Sequence, residues 1–350
     1  MLRPAGAAVA SGLAAAAVSA RLVRRWGRER VGAGGVADAA WASGGGGGDA
    51  DVEHVLVDAA ELETMATTEF APPSGISAAQ GGVVLAEAVR PEHKVAWLIE
   101  AAITGSVDLV EEDGRAVRLV RRGDAPPAMR GPLDTAFDGR TEIELGTYDP
   151  RFAAGWTQVG NALEGWERES GLWDDTADRR RTITRALGGL ASLAGLVGVA
   201  MGGALSSRVG SSGLFLVVAA AAIGGAGLAA AVRGWELRVR TPQGSGLYLR
   251  IESFRRFLAG SEAHHAEAAA ARGVLREYTA WAVALGEVDR WSRAVAASTA
   301  IPQQAGLGYA YMAPMLISST SSTATAPSSS GGGGGGSVGG GGGGGGGGSW

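Results

Sequence analysis

The chain has 350 residues, a formal net charge of −4, 46% hydrophobic residues and no cysteine. That length can bury one or two cores. The near-neutral charge supplies no positive field to recruit nucleic acid, and the missing thiols exclude disulfides, cysteine nucleophiles and cysteine metal sites.

The first element is residues 5–23, AGAAVASGLAAAAVSARLV. Two readings compete. A signal peptide would use Arg3, the apolar run and Val18-Ser19-Ala20 as its cleavage site. A transmembrane helix is favoured by the flank: Arg21, Arg24, Arg25, Arg28 and Arg30 resist translocation and hold that end in the cytoplasm. Residues 24–70 read as a linker, with Gly44–Gly48 as its flexible run.

Residues 71–178 carry small cytoplasmic units. Ser77 predicts a helix start. Pro91 begins a second helix with Val95, Leu98, Ile99, Ala102 and Ile103 on one face. Two alternating runs meeting at Asp113-Gly114 predict a hairpin. Helices followed by a hairpin imply a winged-helix-like unit. Over residues 90–122 six basic residues (Arg90, Lys94, Arg115, Arg118, Arg121, Arg122) face six acidic ones, which is no footprint for DNA. Further on, Trp156, Val159, Leu163 and Trp166 cluster at helical spacing as core.

Residues 186–205 and 213–232 are two uncharged stretches of 20. At 1.5 Å per residue each spans roughly 30 Å, the thickness of a bilayer core. Arg179, Arg180, Arg181 and Arg185 precede the first; Arg233, Arg238 and Arg240 follow the second. The loop at 206–212 holds only Arg208, so the loop lies outside and both flanks inside. Small residues recur every four positions, Ala194, Gly198, Gly202 and Ala221, Gly225, Ala229. They predict a hairpin packed on itself, with homo-oligomerisation as the other use of such faces.

Residues 233–300 predict cytoplasmic helices. Phe254, Phe257 and Leu258 share one face, and Trp281, Leu285, Val288 and Trp291 another. His264 and His265 are adjacent, so on a helix they point about 100° apart and cannot share one metal as an i,i+4 pair does. Residues 318–350 form a Ser/Gly-rich tail that has nothing to bury and cannot fold. Its one G-x-S-x-G match, residues 335–339, has no strand–turn–helix context. There is no P-loop and no H-E-x-x-H. No catalytic, cofactor-binding or metal-ligating residue stands out, and no cofactor is expected.

The order of APPSGISAAQGG, KVAWLIEAAITGSVDLVEEDG, the arginine-flanked hairpin, IESFRRFLAGSEA, AVALGEVDRW and a glycine tail closing on Ser-Trp resembles the DUF2207 family of predicted bacterial membrane proteins, of the YciQ-like type. The resemblance covers residues 21–297 and the tail. It departs at Thr279-Ala280-Trp281-Ala282, where the family usually shows Leu-Pro-Tyr-Ala. Members of the family usually carry a signal sequence and an extracytoplasmic domain before the first membrane helix; this sequence starts at that helix, so the expectation is a truncated gene model, a fragment or a reduced member. It has no established reaction. The expectation is therefore a mainly α, multi-pass plasma-membrane protein that is not an enzyme: three transmembrane helices, winged-helix-like α+β cytoplasmic units and a helical C-terminal region. Its partners would be the lipid bilayer and unknown proteins, with nucleic acid not expected, and its role a scaffold or signal transducer. The alternative is a membrane-linked regulator binding DNA through the winged-helix-like unit.

Overall fold

The structure is a computed structural model that describes residues 2–43, 53–112, 116–209, 211–301 and 303–327. The glycine run at 44–48, the Asp113-Gly114 turn and the tail from Ser328 to Trp350 lie outside the described residues. In chain order the elements begin with α1 (Leu2–Trp26), β1 (Glu29–Gly32), α2 (Val36–Ser43), β2 (His54–Val57) and α3 (Ala59–Thr64). Next come α4 (Ala78–Ala86), α5 (Pro91–Ile103), β3 (Val107–Glu112), β4 (Ala116–Arg121), α6 (Pro127–Phe137), β5 (Glu142–Glu144) and α7 (Pro150–Glu169). The chain then forms α8 (Asp175–Val209), α9 (Ser211–Arg233) and a 3-10 turn (Gly234–Leu237). It closes with α10 (Pro242–Ala259), α11 (Ala263–Ala271), α12 (Leu275–Ala284), α13 (Val288–Ala296) and α14 (Gln303–Ala324).

Helices α1, α8 and α9 are each long and apolar enough to cross a membrane, and together they form one bundle. Leu190, Leu193, Leu196, Phe215 and Leu228 stand exposed on its outside, where water would penalise them and lipid would not. Helix α9 is the centre. A Cβ on Gly195 or Gly202 of α8 would strike α9 at Gly224 or Val217, so these glycines permit a close antiparallel approach. The opposite flank of α9 receives α1: Cβ atoms on Gly12 and Gly225 would collide with the facing backbone. Ser11 Oγ donates to Val218 O (3.1 Å) and Ser19 Oγ to Ala226 O (3.0 Å). Contacts that rise together in number make α1 and α9 parallel.

This corrects the reading of the small-residue faces. Gly198 and Gly202 do pack within the hairpin, but Ala194 is exposed and Gly195 takes its place. The Ala221–Gly225 face is spent on α1, not on α8. The expected loop at 206–212 also shrinks, because α8 continues to Val209 and α9 begins at Ser211.

All three arginine-rich flanks meet at one end of the bundle, and the soluble body sits there. Its core is continuous across both soluble segments. Val83, Ile99, Leu119 and Phe152 from the first join Phe254, Trp281 and Trp291 from the second. In the first segment Ser77 and Gln80 cap α4 reciprocally, and Pro91 opens α5. The strands run β3–β4–β5, all antiparallel, with Val107 opposite Arg121 and Leu119 opposite Ile143. The predicted α5 face is buried except for Ile103, which is exposed at its C-terminal end.

Two segments depart from expectation. Within the span read as a linker, 24–70, the described residues on either side of 44–52 are built structure: β1 pairs antiparallel with β2, and Val31, Val36, Val57, Leu62 and Ala66 form a satellite core on Leu249 of α10. Residues 318–324, read as tail, complete α14, whose Met312, Ala313, Leu316, Thr320 and Thr323 are buried.

Candidate functional site

Where the membrane bundle meets the body lie the most buried ion pairs among the described residues. The segment entering α8 and the segment leaving α9 run antiparallel. Asp174 N–H donates to Val239 O (3.0 Å) and Thr241 N–H to Leu172 O (2.9 Å). In extended backbone, residues two apart point the same way, so Arg238 and Arg240 both turn into the body.

Arg240 Nη1 lies 2.7 Å from Glu29 Oε1 of β1, and its Nη2 lies 2.6 Å from Glu87 Oε1. Both the Arg240 and Glu29 side chains are only 5% exposed. Ser245 Oγ of α10 donates to the other Glu29 oxygen at 2.9 Å. The Arg240 guanidinium lies over the Tyr248 ring, 4.3 Å from its centroid. Burial pushes the Tyr248 hydroxyl pKa up to about 12, so it stays neutral beside this cluster. Arg238 pairs with Glu167 at the end of α7 (2.5 Å), donates to the Glu87 carbonyl and lies over Trp173 (4.9 Å).

Glu87 is therefore held twice, carboxylate by Arg240 and carbonyl by Arg238. It is also the C-cap of α4, in the left-handed region at φ 54°. A non-glycine residue there is uncommon and costs of order 1–3 kcal/mol unless its surroundings hold it. Here two arginines from the exit of α9 do so. A buried ion pair repays the desolvation of its charges only with good geometry and satisfied partners, which the second Glu29 hydrogen bond helps to meet. One joint thus ties β1, α4, α7, the α8 entrance, the α9 exit and α10 together. It holds these charges at fixed positions.

A second cluster extends the joint along α10. Buried Glu252 pairs with Arg255 (2.7 Å) and Arg256 (3.2 Å), and Arg255 reaches Glu287 before α13 (2.6 Å). Arg256 also donates to the carbonyls of Ala66 (2.6 Å) and Glu63 (2.7 Å). Arg250 pairs with Glu69 (3.2 Å), and Thr67 N–H donates to Ser253 Oγ (3.0 Å). The IESFRRFLAGSEA stretch is thus the clamp that holds residues 63–69 on the body.

Other buried ionisable groups flank α4. Burial pushes the Glu100 carboxyl up to about 7 while Ala78 N–H donates to it at 2.6 Å. Burial and then Arg90 pull His93 down to about 4; its Nδ1 accepts the Arg90 N–H. At the surface the His264 and His265 rings lie 3.8 Å apart, and His265 Nδ1 accepts the Glu262 N–H that opens α11. Sequence reasoning treated Arg238 and Arg240 as topology markers only and passed over Glu29 and Glu87. The available signal was the alternation of Arg238 and Arg240, a two-residue period that puts both guanidiniums on one side.

No curated protein and no solved structure matches this chain. Residues 67–295, which run from the clamp below α10 through both helices of the membrane hairpin to α13, match the C-terminal domain of the predicted membrane proteins designated DUF2207. With three apolar helices gathered under an arginine-lined joint, this chain belongs to the DUF2207 membrane-protein family.

Proposed function

We propose that the protein is a multi-pass plasma-membrane signal transducer whose cytoplasmic body is a protein-contact module, moved by the bundle through the Arg238–Arg240 joint. The observation that supports this reading is the buried Arg240–Glu29–Glu87 cluster, which links the exit of α9 to β1 and to the end of α4. The arginine flanks support the cytoplasmic placement. The body reads as winged-helix-like over α4, α5 and β3–β4, with β5 added at the edge beside β4. Among the described residues its hairpin arginines pair with carboxylates: Arg118 with Glu142 (3.1 Å), Arg121 with Asp134 (3.0 Å) and Arg122 with Asp108 (2.5 Å). Protein contact rather than DNA binding therefore suits that face. The role is non-enzymatic.

Coupling can be read by hydrogen exchange on the full chain in lipid nanodiscs. Gly225→Leu drives a side chain into the Gly12 backbone and displaces α1. Coupling free energies of 1–3 kcal/mol correspond to roughly 5–150-fold, so exchange in the last turn of α4 and in α10 should quicken by about fivefold or more. Unchanged exchange in the body would mean that it ignores the bundle, and transduction would be refuted.

Orientation is checked with introduced thiols, each the only one in the chain. Ser211→Cys should react with a membrane-impermeant maleimide on sealed cells. Ser74→Cys and Thr157→Cys, both exposed on the body, should react only after lysis. The reverse pattern would invert the topology.

A further inference from the structure

Helices α1 and α8 both lean on α9 and leave a cleft of about 570 Å³ between them, within the roughly 300–1,000 Å³ of small-molecule sites. Its walls include Ala14, Val18, Leu22 and Trp26 of α1, Thr184 of α8 and Ala226 of α9, and they are almost wholly apolar. From Ala14 to Trp26 the helix rises roughly 18 Å, close to the ~15 Å depth of one leaflet's hydrocarbon. Trp26 and Trp235, each 61% exposed, stand at the same end, as tryptophans do at a membrane interface.

Part of the charge at that end lacks an ion-pair partner among the described residues. Arg25 follows Leu22 by three residues on α1, and Arg180 precedes Thr184 by four on α8, so helical register brings both to the cleft mouth. Both are exposed, and among the described residues neither enters an ion pair. Their neighbours Arg24 and Arg181 are paired with Asp58 and Asp178. We propose that the cleft between α1 and α8 is a binding site for one anionic phospholipid of the leaflet on the side of the soluble body, its acyl chain against Val18 and Leu22 and its phosphate between Arg25 and Arg180. A one-leaflet apolar groove ending in two free guanidiniums matches a phospholipid, whose charge and tail are joined at that distance. The site does not depend on the transduction reading, because bound lipid is counted directly.

Native mass spectrometry of the full chain in a mild non-ionic detergent, titrated with phosphatidylglycerol or phosphatidylcholine, tests it. One phosphatidylglycerol should be retained, well above phosphatidylcholine. Each arginine near an anionic group contributes a factor of about five, so Arg25→Gln with Arg180→Gln should weaken retention roughly 25-fold. The Lys pair at the same positions should restore it, showing that the loss is of charge and not of fold. Ala230→Leu, which fills the cleft wall, should lower retention of both lipids. Equal retention of the two lipids by the unaltered chain, or no loss in the Gln pair, would overturn the proposal. So would a dimer that Ala230→Leu dissociates, since the occupant would then be a second copy.

Discussion

Arg240→Ala should unfold the junction at a cost of about 3–5 kcal/mol, the penalty for stranding a buried charge. Among the described residues Glu29 would keep only its Ser245 side-chain hydrogen bond, and Glu87 would lose one of the two arginines that hold it in its left-handed conformation. Against a total stability of about 5–15 kcal/mol this is a large fraction, and thermal unfolding of the purified protein in detergent measures it. Adding Glu29→Gln removes the stranded charge and should recover part of the loss, with a coupling of about 0.5–3 kcal/mol. Strict additivity would mean the two side chains do not meet. Ionic strength should leave the effect unchanged because salt screens buried pairs little. The exposed Arg24–Asp58 pair should respond to salt and contribute about 1 kcal/mol at most.

Trp291→Ala should cost a similar 3–5 kcal/mol. Trp291 is fully buried, its Nε1 donates to Thr279 Oγ1 (3.0 Å), and its ring lies 5.9 Å from that of Tyr278. Truncation empties the space beneath α12 and α13. At about 2–4 °C per kcal/mol for a body of this size, the melting temperature should fall by roughly 6–20 °C. Trp291→Phe should cost less, because the ring volume is largely kept and Thr279 Oγ1 still donates to Leu275 O. If Phe and Ala proved equally damaging, the hydrogen bond and not the packing would carry the residue's role.

Local signals in the sequence determined much of this protein. Two uncharged stretches of membrane length, the Ser77 cap, Pro91 at a helix start and the alternating runs of β3 and β4 each depend on neighbours a few positions away. So does the gathering of arginine flanks at one end of the bundle. Tertiary structure alone decided which faces meet. Glu29 and Arg240 stand 211 positions apart, and nothing near either predicts a buried partner. Ala221 and Gly225 show that α9 has a close-packing face, but only the placement of α1 assigns it. Residues 29–66 have strands of four residues, too short to show a period, and they gain their core from Leu249 across the chain. Helix α14 was hidden by its Ser and Thr content. Thr320 and Thr323 are buried because each hydroxyl donates to a carbonyl one turn back, Leu316 O (2.6 Å) and Ser319 O (2.7 Å). Thr323 also accepts the Gly146 N–H (2.7 Å). A hydroxyl satisfied within its own helix packs as an apolar group does, and only the arrival of α5, α7 and α12 on that face makes the burial visible.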